Sequence, residues 1–542
     1  MFADDTAMVV EDFRRDLSRM YEIFKELAAA AHLQLNYNKC VFIPLFDYDK
    51  HKVQADLRGM ADPLGDMSIG KKGKYLGFSI GPGKGDSSWQ GALDKATKRV
   101  SEWDWAPLGF FFATQVWNTF VASLFGFVAQ LERPPPGIKN KLAELLLRAG
   151  HGPPNWCSDD DLTHLRRGFG FHGEFKDVIT MAQAAMFRTT AMEDSNNGGL
   201  RCQERATQLK EEYRKTKHFI RSREWGHWYE RAFVTQLAEH QSKLRETKGI
   251  TQGSIERELS HEQDRPWTPT LAKLVKRSFQ RQGTKHLADD TPFQAEARVR
   301  RNLRRFGLLD RREAARSLKR LRSLQLLVPP RVWAATFGAL WNRWFTARRT
   351  QRIHSKCLLG CEWGDDSVEH YVDCPQVVQF AKHRLHLTCR FGTRRQYWLM
   401  AAGDDPDNSE PSWWARQSLL HYAVSRTTNA ARIAGGLAAH EAQPALWQAT
   451  LEGCKGSRLG AAINTAGRKH WQPTPTHDMA TSSAQNQTST ATTIPLTIPT
   501  PPRPQGTAAA APSTTTTIPT TVPAIPETAT ARFRRFFDLF ML

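Results

Sequence analysis

The chain has 542 residues, enough for roughly two to four domains, and its 40% hydrophobic content with 17 Trp and 29 Phe supplies material for a sizeable core. Lys and Arg outnumber Asp and Glu by 75 to 55, a formal net charge of +20, which favours a polyanionic partner, nucleic acid before membrane. Nothing at the start resembles a secretory leader, since acidic residues arrive at Asp4 and Asp5, and the 8 cysteines are scattered. That pattern speaks against a disulfide framework and for a reducing intracellular compartment, nuclear or cytoplasmic, where clustered cysteines bind metal.

In chain order, "TAMVV" after the Asp pair reads as a short strand. Phe13, Leu17, Met20, Phe24 and Leu27 then recur at helical spacing, with Glu11 and Asp12 suited to the positive end of that helix. "LQLNYNKCVFIPL" alternates as strand-turn-strand, with Asn36 and Asn38 as turn formers, and "KYLGFSIGPGKG" is a strand running into a Gly/Pro turn. Residues 1–85 therefore read β-α-β-β, a compact α+β unit, and residues 86–150 are helical and aromatic-rich. Phe110 to Leu131 carries no charge over 22 residues, the length of a membrane span. Gln115, Asn118 and Gln130 are costly in lipid, so a buried core helix and no membrane segment is the expectation.

Ser158 with Asp159 to Asp161 signals a helix start. The stretch 151–350 is mostly helical and basic: between Gln294 and Ser323 there are 11 Lys/Arg against 3 acidic residues. Two readings fit, an ordinary helix with a solvated basic face or a nucleic-acid track. A helical region is expected at 391–470. From 471 onward the composition collapses to Thr, Pro, Ala and Ser, which cannot bury enough apolar surface to order itself. It closes on "ARFRRFFDLFML", either a short amphipathic helix or a terminus without a role.

Two constellations carry chemistry. Cys357, Cys361, His370 and Cys374 form C-x3-C-x8-H-x3-C within 351–390. Three soft thiolates and an imidazole suit tetrahedral Zn2+, and four protein donors leave no open position for catalysis. The competing reading is a small Cys/His core without metal. At the start of the chain, Asp4 and Asp5 are adjacent carboxylates that a tight turn could aim at a divalent ion pair. The same Ala-Asp-Asp recurs in "HLADDT" (His286 to Thr291) without flanking apolar strands and reads as a loop, as does the acidic run around Pro406-Asp407.

"FADDT", an amphipathic helix, "LQLNYNKC" and "KYLGFSIG", in that order, resemble the C-terminal palm of reverse transcriptases of the non-LTR (LINE-type) retrotransposon group. The resemblance implies that Asp4 is the principal Mg2+ ligand and Asp5 its neighbour. It places Lys39 near the incoming nucleotide and makes Tyr75, Leu76 and Gly77 a primer grip. The helices of 86–150 fall where the family has its thumb. A Cys/His cluster downstream, within an S-x-E-H run like Ser367 to His370, is also a family feature. The implied reaction is RNA-directed DNA synthesis by two-metal nucleotidyl transfer, with RNA and DNA as partners. A third metal-binding Asp and the nucleotide-binding fingers have no place before Phe2, so the expectation is that this chain alone does not polymerise. The alternative is a non-catalytic nucleic-acid-binding protein that uses the thumb, the zinc cluster and basic helices, with Arg300, Arg301, Arg304 and Arg305 as contacts.

Overall fold

The computed structural model describes residues 6–45, 48–194, 293–307, 310–351, 356–390, 392–404 and 409–470, plus isolated positions between 195 and 292. Asp4, Asp5, the second Ala-Asp-Asp, Pro406-Asp407 and the tail 471–542 lie outside them. The described part is mostly helical with few strands.

Two hydrophobic cores organise it. The first holds Phe13, Leu17, Val53, Leu57, Leu64 and Ile69. Helix α1 (Phe13–Ala31) begins at Asp12, whose carboxylate accepts the N–H groups of Arg14 and Arg15, and ends at His32 with φ 55°. Only its start is buried: Phe24 is half-buried and Leu27 is 46% exposed, so its second half projects from the core. Helix α2 (Lys50–Met60) is capped in the same way by Asp49 and contributes Val53 and Leu57. β1 (Val41–Phe42) pairs in parallel with β2 (Ser68–Ile69).

Three sequence expectations need correction here. "TAMVV" forms no strand: no described segment offers it a ladder partner, and Met8 and Val9 stay exposed. Of the expected strand-turn-strand, "LQL" forms no strand, while the turn is present: Asn36 accepts the Lys39 N–H, Tyr37–Lys39 winds into a 3-10 turn, and the chain continues into β1. Helix α2 was not expected; its signal is Asp49 ahead of Val53 and Leu57, four residues apart.

Among the described residues, the second core joins buried side chains of Phe78 to Ala185 with those of Ala295 to Ile463. It opens with a hairpin, β3 (Gly73–Tyr75) against β4 (Phe78–Ile80), in register Tyr75 to Phe78. The two-residue loop has positive φ at both positions, 47° at Leu76 and 87° at Gly77, which matches the strand twist but strains a side chain as bulky as Leu. Helices α3 (Ser87–Glu102) and α4 (Gly109–Val116) follow. The charge-free run does not continue as one helix. It passes through a π turn at Trp117–Val121 and 3-10 turns at Ala122–Phe125 and Val128–Gln130, with Trp117, Val121, Ala122 and Phe125 fully buried. Asn118 at the break donates to the Glu174 carbonyl (2.9 Å) and accepts the Lys176 N–H (2.8 Å). Among the described residues no helix is long and apolar enough to cross a membrane.

Next come α5 (Ile138–Ala149), α6 (Asp159–Thr163), α7 (Leu165–Phe169) and α8 (Val178–Asp194). The expected cap is present, a reciprocal pair between Ser158 and Asp161. After the largely undescribed stretch 195–292 lie α9 (Ala295–Leu303), α10 (Arg311–Ser323) and α11 (Pro330–Leu340). Phe337 on α11 stacks between Trp333 and Trp341 at 5.1 and 4.1 Å, the centre of an aromatic core. The rest is α12 (Val368–Asp373), α13 (Pro375–His383), α14 (Arg394–Trp398), α15 (Pro411–Ala434), α16 (Ala439–Cys454) and α17 (Leu459–His470).

Candidate metal centre

The Cys/His ligands come from two short pieces of backbone. Cys357 and Cys361 sit on a loop closed by the bridge between Lys356 and Asp365, with the Cys357 N–H donating to the Gly364 carbonyl at 2.8 Å. His370 lies on α12 and Cys374 at the junction of α12 and α13. Ser367 starts α12 by accepting the His370 N–H (3.1 Å), which fixes the backbone that carries the imidazole. Two glycines make room. At Gly360 φ is 70° and the backbone lies against Leu437 to Ala439, while a Cβ at Gly364 would collide with the His370 ring.

The four donor atoms all lie within 4.8 Å of one another. Cys357 Sγ and Cys374 Sγ are 3.8 Å apart, and Cys361 Sγ is 3.1 Å from His370 Nε2. Zn–S bonds of about 2.3 Å in a tetrahedron place two sulfurs about 3.8 Å apart, so the donor set fits zinc. The electrostatics agree. A hydrogen bond from the Cys357 thiol holds Cys374 below the usual thiol range and, with burial, pushes Cys357 up to about 12. Burial raises Cys361. Backbone N–H groups of Leu359, Trp363 and Val377 point at the three sulfurs and favour their thiolates. Metal binding would replace the shared proton and cross-link the loop to α12 and α13.

Beyond the ligands lies a group that sequence reasoning missed. Asp366, 1% exposed, accepts from Tyr371 Oη (2.7 Å), the Ala347 N–H (2.8 Å) and Arg432 Nη2 (2.9 Å). It ties the metal loop to the end of α15. The neighbouring Glu369 faces Arg305 Nε (3.5 Å) and Arg348 Nη1 (3.9 Å). In the sequence both acids are ordinary members of "GDDSVEH"; their partners lie elsewhere in the chain.

The basic stretch divides into two populations. Arg300, Arg301 and Arg304 are exposed and form no ion pair among the described residues. Arg305 is different: it is folded against Glu369 and the Ala339 carbonyl, and burial lowers its pKa to about 10. Unlike its three neighbours, it is held by partners within the chain. Arg298 pairs with Asp160, Arg311 with Glu296, and Arg320 with Asp404 and the carbonyls of Met400 and Ala402. Arg316 and Arg322 donate to the Ala401 and Gly168 carbonyls.

Of the residues expected at a polymerase site, Lys39 is exposed on its 3-10 turn and Tyr75, Leu76 and Gly77 form the tip of the hairpin. Compared with models of known protein families, with curated proteins and with solved structures, the chain matches none.

Proposed function

We propose that this protein binds nucleic acid through the phosphodiester backbone, with a zinc-held Cys3His module organising the basic part of its helical body. We propose further that it derives from the C-terminal part of a non-LTR reverse transcriptase. The observation that carries the first reading is the convergence of Cys357, Cys361, His370 and Cys374 on one point inside a chain of net charge +20. That the imidazole ligand comes from the Ser-x-Glu-His run supports the second. The module is structural, since its donors leave no coordination position for substrate. In the two-metal chemistry of the resemblance, Asp4 and Asp5 would be the Mg2+ ligands; the reading of binding does not depend on them.

The test uses the full-length protein purified with zinc, and labelled single-stranded RNA and duplex DNA. Anisotropy should show binding that weakens by an order of magnitude or more between about 50 and 200 mM salt. Affinity that ignores salt would sink the reading. Extension of a primer on RNA with Mg2+, abolished by Asp4→Ala, would replace it with polymerase activity.

A further inference from the structure

Helix α12 does more than deliver His370. Glu369 and Asp373 are four residues apart and share one of its faces. Arginines from three separate parts of the chain converge on that face. Arg305, from the turn after α9, reaches Glu369 at 3.5 Å, and Arg348, from the loop after α11, reaches the same carboxylate at 3.9 Å. Arg394, on α14, lies 4.0 Å from Asp373. Its neighbour Arg395 donates to the Phe306 carbonyl at 2.8 Å, which holds α14 against the Arg305 turn.

The charges do not balance. Three guanidinium groups, of Arg305, Arg348 and Arg394, meet two carboxylates, and the side chains of Arg348 and Arg394 remain 67% and 53% exposed. The ion pairs at 3.9 and 4.0 Å are long and solvated, worth little to stability and easily exchanged for a better anion. A guanidinium that swaps a solvated carboxylate for a phosphate gains a fork-shaped, bidentate partner. Arg305, by contrast, is half-buried and also donates to the Ala339 carbonyl, so its role is to neutralise Glu369 from within the fold.

We propose that this arginine ring around α12 is a phosphodiester-backbone site, with Arg348 and Arg394 as the contacting groups and Arg305 and Arg395 holding its frame. The inference rests on the nucleic-acid reading above and places the contact beside the metal module. It takes successive phosphates of a strand, the groups that a guanidinium fork pairs with most directly. Asp373 acts as an internal competitor for Arg394.

The experiment measures anisotropy of a labelled duplex DNA and a single-stranded RNA with the zinc-loaded full chain. Zinc content and circular dichroism confirm that each variant is folded. Arg348→Glu combined with Arg394→Glu should weaken binding by about tenfold or more and flatten the salt slope by about 2, near 0.9 for each phosphate that is no longer neutralised. Asp373→Asn should tighten binding by about two- to threefold, a gain that a damaged fold would not produce. If wild type binds with a steep salt dependence while both variants leave the affinity unchanged, the ring is overturned and the proposed function survives. If wild type fails to bind, the proposed function falls with it. Equal, arginine-dependent binding to phosphatidylserine vesicles would also overturn the assignment to nucleic acid.

Discussion

The N-terminal unit and the Cys/His module are both small, and they are held in opposite ways. The first has its own core of six buried side chains among the described residues and no buried polar or charged side chain before Ser88. The second has no core of its own. Cys357, Leu359, Cys361, Val368, Tyr371 and Cys374 all belong to the large core, and a carboxylate, Asp366, fastens the module to a helix beginning 45 residues later at Pro411. A six-residue core is marginal on area alone. The module is instead stabilised by polar anchoring and, when loaded, by coordination. One unit should therefore respond to packing defects and the other to metal, acid and charge.

The largest expected effect is loss of metal. Chelation, or Cys374→Ser, should abolish stoichiometric zinc and lower the melting temperature by several degrees. Amide exchange should accelerate across 356–383 and stay unchanged across 13–69. Uniform acceleration in both would show that the two are one cooperative unit. Leu57→Ala, at a fully buried position, should cost about 2–5 kcal/mol and release 13–69 with zinc content intact. Asp366→Asn removes the charge partner of Arg432 and should cost about 2 kcal/mol, read as a shifted urea midpoint. It should also weaken zinc retention, whereas a purely local role would leave retention unchanged.

Acid should separate the units as well. Burial holds His421 on α15 neutral, with its pKa lowered to about 3 from 6.5. Between those values the unfolded chain binds the extra proton. Stability is therefore full above pH 6.5 and falls as the pH drops toward 3, at up to about 1.4 kcal/mol per pH unit. His421→Gln should flatten that slope when unfolding is followed at matched zinc content, and exchange in 13–69 should not follow it. The smallest effect lies at the hairpin. Leu76→Gly relieves a positive φ and should raise stability by about 0.5–1 kcal/mol or less, measured as a midpoint shift.

Much of this was legible from residue spacing. Phe13 and Leu17 announce α1, Ser158 and Asp161 its later counterpart at α6, and C-x3-C-x8-H-x3-C names the metal donors. The misses share a physical cause. "TAMVV" and "LQL" have strand-like composition, but a strand is made by its partner, and none is described beside them. The charge-free run reads as one helix, yet Asn118 bonds to backbone more than 50 residues away and interrupts it. Arg305 reads like Arg304 in sequence, and only the fold turns one toward Glu369 and leaves the other exposed.

The sequence by itself determined which atoms can ligate a metal and where α1 and α6 start, because donor type and caps act within a few residues. Tertiary structure decided which charges are available. A guanidinium's fate depends on whether a carboxylate or carbonyl reaches it from a distant segment, and that is settled when the helices pack.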